Sequence, residues 1–173
     1  MERIGVFFVF FLVFRSIYTI FAGDMTNSEG KRQEDFRSSL TLTNNVQEVP
    51  RLVEHVDAAC EAAGFDMSTT MQMNLAIEEA VVNVIDYAYP AGTQGDVCIE
   101  MTAGDKGLVV TISDSGTPFD PTTRGEVDTT LSVEERSIGG LGIMLIRQYM
   151  DKVEYRRENN RNILTLTKNS KND

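Results

Sequence analysis

The sequence predicts an α+β fold, a two-layer sandwich in which helices cover one face of a mixed, mostly antiparallel sheet. Two observations lead to this prediction. Segments with strand and helix periodicity follow one another in the order strand, helix, helix, two strands, helix, two strands. The last four strands form two pairs with short connections, and such hairpins join antiparallel neighbours, which helices can cover on one face.

The first strand and the two helices after it are indicated by the spacing of their apolar residues. Residues 38–43 alternate polar and apolar side chains, as in a short strand. Residues 49–63 carry apolar side chains at helical spacing and are followed by a glycine, which is a common helix stop. A second helix is predicted to begin at Ser68 or Thr69 and to end at Ala88, with Thr69 and Gln72 resembling a capping box at its start.

The second half of the chain predicts four strands and one helix around a long irregular segment. The elements are strands over residues 97–102 and 108–113, a helix over 141–150, and strands over 152–157 and 162–167. Residues 115–140 contain two prolines, many threonines and mixed charges. A loop of that length in a compact domain is usually functional or disordered.

Composition narrows the class of protein. The chain has 173 residues and a net charge of -10, which argues against a direct nucleic-acid binder because such proteins need a basic face for phosphates. Arg156, Arg157 and Arg161 are the nearest approach to a basic cluster and are predicted to be a solvated hairpin tip. Cys60 and Cys98 are predicted to be small core residues. With a single histidine, a zinc site or a Ser-His-Asp triad is disfavoured.

The start of the chain differs from the rest. Residues 1–24 are apolar and rich in phenylalanine, whereas residues 25–37 are a polar linker, residues 38–168 the predicted domain and residues 169–173 a tail. Three interpretations of the leader stay open: an upstream extension from a misplaced start codon, a signal peptide or membrane anchor, or a core element. The domain itself has the character of a cytoplasmic protein, and a membrane partner is expected only if the leader is a genuine anchor.

The predicted second helix carries two polar residues on an otherwise apolar segment. Glu79 and Asn83 are four residues apart and therefore share one face of the helix. Burying an unpaired amide costs roughly a few kcal/mol, and burying a carboxylate costs more. A divalent ion with its waters would offset that cost. The alternative is that Asn83 bonds a neighbouring backbone group and Glu79 is solvated at a helix edge.

A second polar position stands at the end of a predicted strand. Asp114 ends an apolar run, and Gly116 follows two residues later. A carboxylate only accepts hydrogen bonds, so it could take the exocyclic amino group of adenine. The alternative is an Asx turn after a strand.

The third segment is the glycine-rich run from Gly139 to Gly142, which leads into the predicted last helix. Glycines let the backbone approach a ligand, and free N–H groups at a helix start favour phosphate. The run is neither a Walker A loop nor a dinucleotide fingerprint. Alone, such a run is more often an ordinary loop.

Taken together and in this order, the three segments resemble the N, G1 and G2 boxes of the Bergerat-fold (GHKL) ATPases over roughly residues 38–168. The resemblance is strongest to the bacterial anti-sigma factor serine/threonine kinases. The matching residues are Glu79-x-x-x-Asn83, Asp114-x-Gly116-x-Pro118-Phe119-Asp120-Pro121 and Gly139-Gly140-Leu141-Gly142.

The resemblance implies a role for each matching residue. Asn83 would hold Mg²⁺, Glu79 would be the general base, Asp114 would bond the adenine amino group, and Gly116 would let adenine lie close. Residues 117–138 would form a mobile lid. The other ATP-binding positions implied are Pro118, Arg136, Gly139, Gly140, Leu141 and Gly142, with Arg124 as a second cation of the lid.

The same resemblance implies a kinase that uses Mg²⁺ and ATP to phosphorylate a serine on an anti-sigma antagonist of the STAS type. A sigma factor and a second copy of the chain are further implied partners. Three positions depart from the family pattern: Tyr87 replaces a frequent His, Pro118 replaces a Gly, and Asn162 is the candidate for a frequent Thr. A catalytically silent ATP-binding module that sequesters a partner therefore stays open as the alternative.

Overall fold

A computed structural model describes residues 35–123 and 140–170 of the chain. Within these ranges the chain forms five strands and three α-helices, with a short 3-10 turn at Val46–Glu48. In chain order they are β1 (Phe36–Thr43), α1 (Pro50–Ala62), α2 (Met67–Tyr87), β2 (Asp96–Gly104), β3 (Gly107–Asp114), α3 (Gly140–Tyr149), β4 (Lys152–Glu158) and β5 (Arg161–Asn169).

The five strands form one sheet in the order β1-β2-β3-β5-β4. Every neighbouring pair among these strands is antiparallel. Because β5 inserts between β3 and β4, the last hairpin brings its second strand against the end of β3. The predicted two-layer α+β architecture is confirmed, with an antiparallel sheet throughout the described strands.

The core lies between the sheet and the helices. Leu40, Ile99, Ile112 and Leu164 are aligned across four strands and are all buried, so one face of the sheet is apolar. α1 contacts β1 and β2, α2 contacts β2 and β3, and α3 contacts α2 and β4. This arrangement places α2 over β2 and β3, with the start of α3 beside it.

The start of α2 differs from the sequence prediction. The helix begins at Met67, and Asp66 is its N-cap, because the Asp66 side chain accepts a hydrogen bond of 2.7 Å from the backbone N–H of Thr69. Thr69 is buried within the first turn. The predicted capping box of Thr69 and Gln72 is therefore wrong, since an aspartate three residues earlier already satisfies that N–H group.

Two further predictions of side-chain environment are wrong because strand alternation overrides composition. Cys98 lies between the buried residues Val97 and Ile99, so its side chain is on the face of the sheet opposite the described helices and is only half-buried. Arg157 was expected to be solvated, but it lies on the helix-facing side of β4 and is half-buried. Period-two alternation decides both positions.

None of the described helices combines the length and apolar character needed to cross a membrane. The leader over residues 1–24, most of the polar linker and the last three residues of the tail lie outside the described ranges. Predictions about them stay predictions.

Candidate functional site

The three segments singled out in the sequence converge at one end of the layer between helices and sheet. α2 carries Glu79 and Asn83, the end of β3 carries Asp114, and the first turn of α3 carries Gly142. α3 packs against α2, which places the last glycine of the run directly opposite the two polar residues of α2.

Gly142 is in contact with the polar face of α2. A Cβ at this position would overlap Oε2 of Glu79 and would lie 3.3 Å from Nδ2 of Asn83. Any residue with a side chain would therefore displace the Glu79 carboxylate. Because position 142 is a glycine, the Glu79 carboxylate and the Asn83 amide can both lie against the first turn of α3.

Glu79 and Asn83 are both half-buried, and neither side chain makes a hydrogen bond within the described ranges. The alternative in which Asn83 bonds a neighbouring backbone group is therefore not found there. Burial raises the pKa of Glu79 above its ordinary value. Burial, followed by the charge of Glu79, also raises the pKa of the adjacent Glu78. A carboxylate with a raised pKa is a stronger base, which suits proton abstraction near neutral pH.

Asp114 is 3% exposed and is held through one of its two oxygens. Its Oδ1 accepts hydrogen bonds of 2.8 Å from the backbone N–H of Gly116 and 2.8 Å from Nδ2 of Asn162. Its Oδ2 has no hydrogen-bond partner in the described part of the chain. Both interpretations of this residue thus hold at once: Oδ1 closes an Asx turn, and Oδ2 is left to accept a bond from a ligand.

The turn after Asp114 packs against the end of α2. A Cβ on Gly116 would overlap the backbone carbonyl oxygen of Ala88, so only glycine fits. The next residue, Thr117, donates its N–H to the same carbonyl at 2.7 Å. Tyr89 adds a second attachment, because its hydroxyl oxygen accepts a bond of 3.2 Å from the N–H of Ser115.

A narrow cleft of about 40 Å³ lies between α2, the turn and the last strands. Its lining is mostly apolar and consists of Ala80, Asn83, Val84, Tyr87, Ala88, Thr117, Phe119, Pro121, Ile146, Tyr155, Asn162 and Leu164. Ordinary small-molecule pockets start at roughly 300 Å³. The cleft is therefore smaller than ordinary ligand pockets.

The start of the expected lid is attached to α3. Arg147 in the last turn of α3 donates hydrogen bonds from Nη2 to the carbonyl oxygens of Pro121, at 3.1 Å, and Thr122, at 2.9 Å. Pro118 is exposed between the turn and this attachment. Gly140 and Leu141 begin α3. Arg124, Arg136 and Gly139 lie outside the described residues.

Two residues of the site were not among those singled out from the sequence. Arg157 donates a hydrogen bond of 2.6 Å to Oδ1 of Asn162, and Tyr155 donates one of 2.8 Å to the same atom. Both lie on β4 on the side that faces the helices. The alternation of Val153, Tyr155 and Arg157 along that strand is the signal that could have placed them there.

Serine-protein kinases from two bacteria are similar in sequence to this region. The serine-protein kinase RsbW of Listeria monocytogenes is 34% identical over 96 residues, which cover 53% of this chain and 61% of that protein. RsbW of Halalkalibacterium halodurans is 28% identical over 117 residues, covering 65% of this chain and 70% of that protein. The chain thus spans about three fifths of the length of the Listeria relatives it matches.

One solved structure and one family profile complete the comparison. The histidine kinase domain of the blue-light activated histidine kinase from Erythrobacter litoralis EL346 gives a TM-score of 0.44 at 15% identity, covering 69% of this chain and 58% of that chain. The profile described as Histidine kinase-like ATPase domain matches residues 42–168, well over half of the sequence. The chain therefore belongs to the family of histidine kinase-like ATPase domains.

Proposed function

We propose that this chain is a serine/threonine protein kinase of the anti-sigma factor type, which transfers the γ-phosphate of Mg·ATP to a serine on a regulatory partner. The observation that carries the proposal is the meeting of Glu79 and Asn83 with the first turn of α3 across Gly142. The printed names of the RsbW relatives, serine-protein kinases, support the kinase activity. The anti-sigma assignment rests on the resemblance of the three motifs.

Two parts of the site are suited to the two ends of ATP. Oδ2 of Asp114 would accept the adenine amino group, and the glycine at position 116 lets the base lie against the turn. The first turn of α3 presents backbone N–H groups beside the polar face of α2, and such helix starts favour phosphate. Arg136 of the expected lid would add a positive group near the phosphates, which helps a chain with a net charge of -10 to hold ATP.

The residues present fit a magnesium ion. The described residues contain no cluster of three acidic, histidine or cysteine side chains that could hold a metal alone. Mg²⁺ in kinase sites usually takes one or two protein oxygens, with phosphates and waters as its remaining ligands, and the amide oxygen of Asn83 can be one of these. The ion, when bound, would neutralise charge on the phosphates.

Glu79 would act as the general base. The hydroxyl oxygen of the acceptor serine attacks the γ-phosphorus, the bond from that phosphorus to the β–γ bridging oxygen breaks, and ADP leaves. The hydroxyl proton passes to the carboxylate of Glu79. Positioning and charge stabilisation supply most of the rate in such transfers.

The proposed acceptor is an anti-sigma antagonist of the STAS type, and a sigma factor is the proposed second partner. A cytoplasmic site of action follows from these partners. A homodimer is part of the same proposal, since the resemblance to the anti-sigma factor kinases implies pairing through the first strand and helix.

Calorimetric titration with ATP, with Mg²⁺ and with a chelator, tests nucleotide binding. We expect Mg²⁺-dependent binding by the unaltered chain, and loss of binding in Asn83→Ala and in Asp114→Ala. Absence of binding by well-folded unaltered protein would refute the site.

Transfer is tested separately, with γ-labelled ATP and a panel of purified STAS-type antagonist proteins. We expect phosphoserine on one of them with the unaltered chain, and none with Glu79→Ala, which should still bind ATP. If ATP binds and no antagonist is phosphorylated, the kinase proposal fails and the silent sequestering module becomes the better account.

A further inference from the structure

The amide of Asn162 uses all four of its hydrogen-bonding positions. Its Nδ2 donates to Oδ1 of Asp114 at 2.8 Å and to the carbonyl oxygen of Thr117 at 3.1 Å. Its Oδ1 accepts from the hydroxyl of Tyr155 at 2.8 Å and from Nη1 of Arg157 at 2.6 Å. Asn162 is 6% exposed, so it has little contact with water.

This pattern fixes the orientation of the amide. Both neighbours of Nδ2 are acceptors that carry no hydrogen, and both neighbours of Oδ1 are donors. A flipped amide would place its oxygen against Asp114 and Thr117 and its NH₂ against Arg157, so three of the four bonds would be lost; only the Tyr155 hydroxyl, which can also accept, could keep one. The amide of Asn162 therefore has no hydrogen-bonding position left for a ligand, and it acts on the site by holding Asp114 and the carbonyl group of Thr117.

Arg157 extends this network to the backbone of the turn. Besides Asn162, its Nη1 lies 3.2 Å from the carbonyl oxygen of Gly116, and its Nη2 donates to Oδ1 of Asn160 at 2.7 Å. Gly116 in turn donates its N–H to Asp114. Arg157 thus holds the Asp114 carboxylate by two routes, through the amide of Asn162 and through the turn.

We propose that Arg157, acting through Asn162, is a positioning residue that fixes the Asp114 carboxylate so that the site selects purines with a 6-amino group. The proposal rests on the proposed nucleotide binding. Because Oδ1 of Asp114 already accepts two hydrogen bonds, a nucleotide base would bond to this carboxylate through the lone pairs of Oδ2. A 6-amino group donates to them, whereas a 6-oxo group would bring two acceptors together.

The positive charge of Arg157 also strengthens the chain of bonds. A guanidinium that donates to an amide oxygen polarises the amide, which makes its N–H groups better donors. The Asp114 carboxylate is then held by a charge-assisted relay rather than by a neutral contact alone. Loss of the cation should loosen the carboxylate without removing it.

The experiment compares the affinities of ATP and of purine riboside triphosphate, which carries hydrogen in place of the 6-amino group. A hydrogen bond to a charged acceptor corresponds to about a tenfold to hundredfold preference for ATP in the unaltered chain. We expect Arg157→Met to reduce this preference at least about fivefold while the affinity for the analogue stays within about twofold. Arg156→Met is the matched control, because Arg156 is the exposed neighbour on the opposite face of β4, and it should keep the full preference.

A second pair of variants separates hydrogen bonding from packing. In Asn162→Thr, the threonine hydroxyl can still donate a hydrogen bond to Asp114. In Asn162→Val, the side chain has nearly the same shape as threonine but has no donor. We expect the threonine variant to retain a preference for ATP and the valine variant to lose it, with both folded by circular dichroism.

The outcomes separate this proposal from the proposed function. If the unaltered chain binds neither nucleotide, nucleotide binding itself fails. If it prefers ATP, and Arg157→Met and Asn162→Val both keep that preference, the site stands and the positioning role is refuted. An equal loss of affinity for both nucleotides would likewise refute it, because the residues would then be supporting the fold and not selecting the base.

Discussion

Gly142→Ala sets two opposite effects against each other, and the structure predicts which one prevails. Gly142 is the third residue of α3, where alanine would ordinarily stabilise the helix by up to about 1 kcal/mol. Its Cβ, however, would overlap Oε2 of Glu79 and approach Nδ2 of Asn83. Since the overlapping atom is the end of a flexible side chain, the carboxylate can rotate away, and the protein should still fold.

The expected magnitude follows from this contact. When Glu79 is present, Gly142→Ala gains helix stability but forces the Glu79 carboxylate to move. These two effects offset each other, so the free energy of unfolding should change little or fall. In a Glu79→Ala background the overlap is absent, and the gain of up to about 1 kcal/mol should appear in full. Residues in contact typically show coupling energies of about 0.5–3 kcal/mol, and we expect a value in the lower part of that range.

The assay is urea unfolding of the four proteins in the double-mutant cycle, followed by circular dichroism. The cycle cancels the separate effects of each substitution on helix propensity and leaves the contact. An identical change on Gly142→Ala in both backgrounds, within about 0.3 kcal/mol, would refute the contact between Gly142 and Glu79 and with it the assembly of the site.

Three further predictions use titratable groups. Glu79→Gln should raise stability at pH 7.5 and not at pH 4, because burial raises the pKa of Glu79 above 4.5 and only the ionised form is penalised; equal gains at both pH values would contradict this. Asp151→Asn should lower stability by less than about 1 kcal/mol at neutral pH. Burial alone would raise the pKa of Asp151, but a backbone N–H of β5 and the ion pair with Lys168 together hold this pKa below 3.8. That loss should vanish as pH falls through the lowered pKa, which unfolding curves at several pH values would show. Burial raises the pKa of the Cys60 thiol to about 12, so a thiol reagent at pH 8 should label Cys98 first, and rapid labelling of Cys60 in folded protein would be the contrary result.

The helix carrying Glu79 and Asn83 could be predicted because its information is local. Four-residue spacing places the two side chains on one face in any α-helix, whatever surrounds it. The contact with Gly142 could not be predicted in the same way, since it depends on how α3 packs against α2. The helix begins one or two residues earlier than the predicted start, because several polar residues near it can act as caps and the geometry of Asp66 decides among them.

The partnership of Asp114 and Asn162 is also beyond local pattern. The two residues are cross-strand neighbours only because β5 lies between β3 and β4. Strand order is a property of the whole sheet and leaves no trace in either segment alone. Arg157 is different, since alternation along β4 was available in the sequence. A cluster of arginines beside two asparagines is typical of a solvated tip, and this composition points away from the burial that the alternation along β4 indicates.

The hairpin tip itself has a consequence for how this domain can change its length. Asn159 and Asn160 both have positive φ angles, of 49° and 62°, and they form a two-residue connection that sets Arg157 opposite Asn162. Exposed hairpin tips are usually where chains accept insertions and deletions most readily. Here a one-residue slip of β4 against β5 would exchange the two faces of the strand and put the Arg157 side chain in solvent. Homologues that keep this arginine should therefore keep the length of the turn, even though its two asparagine residues are exposed.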